Sequence, residues 1–193
     1  VENILVVSEQ GLGDTIQYCR FALHKSFADT NIILGVQPNL ISLISNMDNK
    51  INVIGVNQVP DHFNYHCPLL SLPLALDVNE RQFVTKNPYL KADGQKKEHW
   101  RNKIGNRKKT KIGVCWSSTT RDEKGRNIPL NVFAKIFREN FEFHILQKFI
   151  DSEERKILKS HHQLVQFHGD KLNDFSDTAA LADNMDLIIS CDT

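Results

Sequence analysis

A glycine-rich tetrapeptide, Gly11-Leu12-Gly13-Asp14, follows the first run of β-branched apolar residues in the chain. A strand, a glycine turn and a helix in that order direct backbone N–H groups and a helix N-terminus at an anion. The alternative is a tight turn in which Asp14 only caps the helix. Spacing alone leaves both interpretations open.

The same tetrapeptide is half of a dinucleotide-binding fingerprint. The full pattern, GxGxxG, needs a glycine where this chain has Ile16. A ribose-binding acid is expected at the end of the second strand, where Gln37 stands instead. The sequence therefore disfavours NAD as a ligand.

A second group of polar residues follows predicted strands further along the chain. Ser117 and Ser118 come directly after one strand, Gln147 and Lys148 after the next, and Asp192 and Thr193 after the last. Hydroxyls, amides and cations at such strand ends can hold a phosphate, since open α/β sheets bind ligands at the carboxyl ends of their strands. The alternative is a polar surface loop.

Metal and nucleophile chemistry have little support. His161 and His162 have no third ligand at metal spacing, and the four cysteines stand singly, without a CxxC pair. No GxSxG, HExxH or Walker sequence is present. Scattered free cysteines favour a reduced, cytoplasmic protein.

Hydrophobic periodicity predicts two tandem β/α units. Apolar runs predict strands, and apolar residues spaced three and four apart predict helices. The predicted strands are 4–7, 31–36, 51–56, 63–68, 111–116, 142–146, 164–167 and 187–190. The predicted helices are 15–27, 38–47, 130–137, 151–158 and 178–182, with a short helix or loop at 69–76 and a helix plus connector at 91–110. Alternating elements of this kind imply parallel sheets.

Composition excludes some partners. The chain has 193 residues and a net charge of +1, which gives no global attraction to nucleic acid or membrane. The stretch from Lys91 to Lys111 is basic, but a solvated helix face explains it better than nucleic-acid binding. No apolar run reaches the 18 or so residues of a membrane helix. No helix follows the last predicted strand, which suggests a C-terminally truncated fragment or a covering partner chain.

The segments taken together resemble a known family. They are SEQGLGDTIQYCRF, FNYHCPLLSLPLAL, KIGVCWSS, GRNIPL, HILQK and DFSDTAALADNMDLIISCDT. The ordered set resembles bacterial glycosyltransferase family 9, which includes heptosyltransferases, and the related glycosyltransferases attached to tetratricopeptide repeats. The resemblance implies a GT-B fold, in which two Rossmann-like parallel-sheet domains take the acceptor and the donor. The domains would be residues 1–92, on the acceptor side, and 93–193, a partial donor-side domain.

The resemblance also implies roles for individual residues. Asp14 would be the general base, and Gly11, Gly13 and Gln17 would form the acceptor-side loop. Binding of the nucleotide-sugar donor would fall to Trp116, Ser117, Ser118, Arg126, Gln147, Lys148, Asp177, Thr178, Asp192 and Thr193. Neither a metal nor another cofactor would be needed. The acceptor would be a glycan, a lipid-linked sugar or a protein, and a homo-oligomer is compatible with the sequence.

The chain departs from the family pattern after Asp192-Thr193, where the family continues with a helix and further strands. This departure puts much of the expected donor site, and activity of the fragment, in doubt. The alternative function is a non-catalytic α/β module that binds a small anion or a partner chain.

Overall fold

The computed structural model describes residues 1–79, 88–105, 109–118 and 125–191. The chain forms two compact units. The first contains Val1–Asp93 together with Asp174–Ser176, and the second contains Gly94–Asn173 together with the residues from Asp177 onward. Each unit is built on its own parallel sheet.

The first unit has four parallel strands in the order β3-β2-β1-β4. The strands are β1 (Glu2–Val7), β2 (Thr30–Val36), β3 (Asn52–Gly55) and β4 (Tyr65–Pro68). In the register of the sheet, Val7 at the end of β1 lies beside Gly35 and Pro68. The carboxyl ends of β1, β2 and β4 therefore meet at one edge.

The helices of the first unit are shorter than predicted. They are α1 (Leu12–Tyr18), α2 (Ile41–Ser45) and α3 (Leu72–Ala75). The predicted helix at 15–27 instead begins at Leu12 and continues after Tyr18 only as 3₁₀ turns at Cys19–Leu23 and Lys25–Phe27. A 3₁₀ turn at Pro38–Leu40 precedes α2, and Pro38 fits its first position, where a backbone N–H would have no partner within the turn.

The second unit repeats the strand order, as β7-β6-β5-β8. Its strands are β5 (Thr110–Cys115), β6 (Phe141–Ile145), β7 (Val165–Phe167) and β8 (Leu187–Ser190). All four agree with the sequence prediction to within one residue at each end. Short segments rich in Ile, Val, Leu and Phe predicted these strands, although β8 is largely exposed and β6 alternates apolar with polar residues.

The helices of the second unit are α4 (Gly94–Ile104), α5 (Leu130–Phe133), α6 (Ser152–Ser160) and α7 (Phe175–Ala182), the last of which begins among the residues grouped with the first unit. The start of α6 is a capping box, since Asp151 accepts the Glu154 backbone N–H and Glu154 accepts that of Asp151. The helix predicted at 130–137 ends at Phe133 and continues as a 3₁₀ turn.

Each unit has a separate apolar core. In the first, β1 and β2 contribute Val6, Leu34 and Val36, all fully buried. In the second, Val114, Ile145 and Phe143 lie at the centre. Among the residues described, no helix combines the length and the apolar character that crossing a membrane requires.

Candidate functional site

The strand order places a ligand crevice in each unit. The first strand of each sheet lies between the second and the fourth, so the chain leaves the first strand towards one side and later crosses to the other side to enter the fourth. Open α/β sheets bind ligands at this switch point, outside the carboxyl ends of the strands. The switch points are the loop after β1, beside the end of β4, and the loop after β5, beside the end of β8.

Two side chains fix the loop after β1. The Glu9 carboxylate accepts the backbone N–H groups of Leu69 and Leu70, at 3.1 and 3.3 Å, which ties the loop to the turn after β4. On the other side, Gln37 donates from Nε2 to the Gln10 carbonyl at 2.8 Å. The loop is thus held from both neighbouring strands before it enters α1.

Asp14 lies at the end of this loop, in the first turn of α1. Its Oδ2 accepts the Gly11 backbone N–H at 3.0 Å, and a Cβ at Gly11 would lie 3.2 Å from the same oxygen. Asp14 is half-buried, whereas Gly13 and Gln17 are exposed. Gln17 is three residues beyond Asp14 and so lies on the same helix face. The arrangement presents a carboxylate beside an exposed loop, with its geometry set by one backbone hydrogen bond.

In the second unit, Gln147 fixes the loop after β5. Its Oε1 accepts the backbone N–H groups of Trp116 and Ser117, at 3.0 and 3.3 Å. Its Nε2 donates to Ser117 Oγ at 3.3 Å and to the Phe149 carbonyl at 3.2 Å. Gln147 is buried, and both the oxygen and the nitrogen of its side-chain amide are hydrogen-bonded. Gln147 therefore joins the ends of β5 and β6 and orients Ser117.

Trp116 supports this loop from the core. Its ring is 1% exposed, packs near Phe133 and donates its indole N–H to Glu154. The chain also returns to the loop after residue 124, since Ser118 N–H donates to Asn127 Oδ1 at 3.0 Å and Ile128 N–H donates to the Trp116 carbonyl at 2.9 Å. Arg126, exposed, is the residue before Asn127 and is thereby brought near Ser118.

A second set of contacts extends along the carboxyl edge towards β7. Lys148 donates from Nζ to the Asn173 carbonyl at 3.2 Å. Asp177 is buried, accepts the Asn173 backbone N–H at Oδ2 and pairs at Oδ1 with Lys96, 3.1 Å away. Thr178 is the next residue of α7 and is half-buried. Asn173 therefore connects Lys148 to Asp177.

Gly169 permits a close approach at the same edge. A Cβ there would lie 2.2 Å from the Lys148 carbonyl oxygen and 2.3 Å from the Phe167 ring. Only a residue without a side chain lets the turn after β7 pass so near the backbone after β6. This contact fixes the position of the Lys148 backbone.

The structure thus brings together most of the residues that the sequence singled out. Ser117, Ser118, Gln147 and Lys148 line one edge of the second unit, and Gly11, Gly13, Asp14 and Gln17 share one loop and helix turn in the first. Asp192 and Thr193 lie outside the described residues.

Three residues with clear roles in these loops were missed, namely Glu9, Gln37 and Asn173. Gln37 directly follows β2 and Glu9 lies two residues after the end of β1, so a position just after a strand was a signal for both. Asn173 had none, because its contacts to Lys148 and Asp177 use only its backbone.

Among the described residues, the Cys115 thiol is not activated and no group of metal ligands is found. Burial raises the pKa of the Cys115 thiol at the end of β5 to about 11, with a further contribution from Cys191, so it stays protonated and weakly nucleophilic at neutral pH. Among the residues that the structure describes, no three His, Cys, Asp or Glu side chains are grouped in a way that could hold a metal ion.

Comparison with known proteins identifies the fold. No family model and no curated protein matches the chain. Among solved structures, E. coli ADP-heptose LPS heptosyltransferase II is 13% identical with a TM-score of 0.58, over 99% of this chain and 79% of that one. A family 9 glycosyl transferase from Veillonella parvula is 12% identical with a TM-score of 0.68, over 98% of this chain and 75% of that one.

These two structures belong to the family that the sequence motifs resemble. At such low identities the comparison establishes a common fold, the two Rossmann-like sheets of a GT-B protein. The predicted fold class is therefore confirmed. Function has to be argued from the residues at the two sheet edges, because one fold can host several activities.

Proposed function

We propose that this protein is a glycosyltransferase that moves a sugar from a nucleoside-diphosphate donor to an acceptor hydroxyl without a metal ion. The observation that carries the proposal is the loop held by Gln147, which orients Ser117 at the switch-point edge of the second sheet, where Lys148 follows Gln147 in the chain. The fold common to this chain and two structures named as glycosyltransferases supports it.

The reaction requires two separate contributions from the protein. The acceptor hydroxyl must lose a proton as its oxygen attacks the anomeric carbon of the donor sugar. The bond between that carbon and the phosphate oxygen breaks, and the leaving nucleoside diphosphate takes the electron pair. A base and a set of fixed positive groups or hydrogen-bond donors are therefore needed.

In this proposal the first unit supplies the base. The Asp14 carboxylate accepts the acceptor proton, and its hydrogen bond from Gly11 N–H fixes its orientation. Gly11 and Gly13 let the acceptor approach the backbone, and Gln17, on the same face of α1, hydrogen-bonds to the acceptor. Acceptors of this class are a glycan, a lipid-linked sugar or a protein.

The second unit binds the donor. The Ser117 hydroxyl and the Ser118 side chain hydrogen-bond to the diphosphate, while Arg126 and Lys148 balance the charge that develops on it. Lys148 has three N–H donors, of which one is directed at Asn173. Three buried residues hold these groups in place without contacting the donor themselves: Trp116, Gln147 and Asp177. The donor side is completed by Thr178, Asp192 and Thr193.

The first experiment replaces Asp14 with asparagine, which keeps an oxygen for the Gly11 N–H but cannot accept a proton. Transfer should fall by about 10²- to 10⁴-fold, the usual contribution of a general base. Donor binding should be unchanged, because the donor is assigned to the second unit. Asp29→Asn, at an exposed aspartate of the same unit, is the matched control and should keep full activity. Full transfer activity in the Asp14→Asn variant would remove Asp14 from its role.

The second experiment tests the donor assignment by thermal unfolding with ADP, UDP and GDP, each with and without EDTA. At least one nucleotide should raise the Tm, and EDTA should not abolish the effect. Ser117→Ala and Lys148→Met should weaken it. The absence of stabilisation by all three nucleotides would contradict the donor site.

A further inference from the structure

We propose that a cavity in the second unit binds a small molecule through a phosphate group, which the ammonium groups of Lys103 and Lys171 hold. The site is separate from the loops after β5 and β6, although Asn173 and Asp177 also line it, and it does not depend on the glycosyltransferase proposal. It lies between the C-terminal half of α4 and the turn that follows β7.

The cavity is large enough for an organic ligand. Its volume is about 500 Å³, within the usual range of roughly 300 to 1,000 Å³ for small-molecule sites. Helix α4 contributes His99, Trp100 and Lys103 to the lining, and the turn after β7 contributes Asp170 and Lys171. A free phosphate would fill only a small part of it, which favours a phosphate carried by a larger molecule.

The two lysines are neighbours across the cavity wall. Lys103 Nζ lies over the Trp100 ring, 3.9 Å from its centroid. Partial burial and the adjacent Lys171 charge lower the pKa of Lys103. Two ammonium groups have donors but no acceptors and repel each other, so an anion between them removes the repulsion and accepts hydrogen bonds from both.

The acids of the cavity do not cancel these charges. Asp177 is paired with Lys96 and accepts the Asn173 N–H, so only part of its charge acts on Lys103. Asp170 and Lys171 are both exposed, at the mouth of the cavity, whereas Lys103 is half-buried. The lining holds two lysines and two carboxylates, and Lys96 beside Asp177 adds a third positive charge, so Lys103 and Lys171 form the positive end of the cavity.

His168 is a natural reporter of anion binding. Its ring is edge-on to Trp100 at a centroid distance of 5.2 Å and stacks on His144, with Glu142 beyond. Burial, together with the charges of Lys103 and Lys171, lowers the pKa of His168 to about 4. An anion beside the two lysines offsets their charge and must raise this pKa.

The experiment follows the His168 ring signal by NMR over a pH titration. The probes are inorganic phosphate, glucose 6-phosphate and AMP, with glucose and adenosine as phosphate-free arms. The phosphate esters should raise the pKa of His168 by about one unit, as expected of a nearby negative charge, and the phosphate-free compounds should leave it unchanged. A response to inorganic phosphate alone would overturn the assignment to a small organic ligand.

Variants locate the anion. Lys103→Met and Lys171→Met should each raise the pKa of His168 in the free protein and weaken the response to the esters about tenfold. Lys156→Met, on exposed α6, is the matched control and should change neither. Asp170→Asn should tighten binding about threefold, because it removes a like charge from the rim.

Two results would overturn the proposal. One is the absence of any shift with both esters. The other is a response that survives in the Lys103 and Lys171 variants but disappears in Lys148→Met, since the phosphate would then bind at the loops after β5 and β6. Neither result would bear on Asp14, whose test measures transfer.

Discussion

The two sheets have the same strand order, but their carboxyl edges differ in charge. The edge of the first unit presents the carboxylates of Glu9 and Asp14. The edge of the second presents Lys148, and Lys96 lies nearby in its pair with Asp177. One topology thus provides a place where a proton can be accepted and another where an anion can be bound. The difference in charge comes from the residues just after the strands, and the strands themselves are arranged alike.

The two edges are also held in different ways. In each, one side chain accepts two successive backbone N–H groups and joins neighbouring strand ends, but the two side chains differ in charge and burial. Glu9 is charged and exposed, and it holds Leu69 and Leu70. Gln147 is neutral and buried, and it holds Trp116 and Ser117. We therefore expect the second edge to be more sensitive to substitution.

The largest expected effect is that of Gly169→Ala. The new methyl group would meet backbone at 2.2 Å, so the turn after β7 and the strand end at Lys148 would have to separate. We expect a loss of about 3 kcal/mol in the free energy of unfolding, at the upper end for overpacking. Denaturant unfolding measures it.

Two glycines serve as controls for this substitution. Gly35, in β2 of the first unit, has only ordinary contacts, the nearest at 3.7 Å, and Gly35→Ala should cost far less. Gly94 has nothing within 4 Å and begins α4, so alanine there should be neutral or slightly stabilising. Equal losses at Gly169 and Gly35 would show that the two edges are packed alike.

The next effect is that of Gln147→Leu, which keeps the volume of the side chain but removes its amide. The N–H groups of Trp116 and Ser117 would lose their acceptor at a buried position, at a cost of about 2 kcal/mol. Hydrogen exchange at these two amides should accelerate. Gln163→Leu, at an exposed glutamine, should change neither quantity. Unchanged exchange at Trp116 would show that Gln147 does not hold the loop.

The strands could be predicted closely because their signal is local. Runs such as Ile112 to Cys115 are apolar and β-branched, and their burial follows from composition alone. The end of α1 could be predicted less closely. Apolar residues continue at helical spacing up to Phe27, but the chain changes to 3₁₀ turns after Tyr18, where tertiary packing overrides periodicity.

The candidate site was predicted in part for the same reason. A polar residue after a strand is visible in the sequence, which is how Ser117, Gln147 and Lys148 were selected. What each does depends on partners far along the chain, such as Gln147 on Ser117, 30 residues away. The cavity at Lys103 and Lys171 combines a helix and a turn 68 residues apart, and no local pattern brings them together.

The smallest effect is expected for Glu9→Ala, the counterpart of the Gln147 substitution in the first unit. Leu69 and Leu70 lose their acceptor, but water can replace an exposed carboxylate, so the loss should be about 1 kcal/mol. Each N–H binds a different oxygen of Glu9, so Glu9→Gln keeps an acceptor for only one of them and should recover only part of this loss. The measurements are denaturant unfolding and hydrogen exchange at the two amides. A loss as large as that for Gln147 would show that burial of the side chain does not set the difference between the edges, and that the charge of Glu9 contributes as much as the buried amide does.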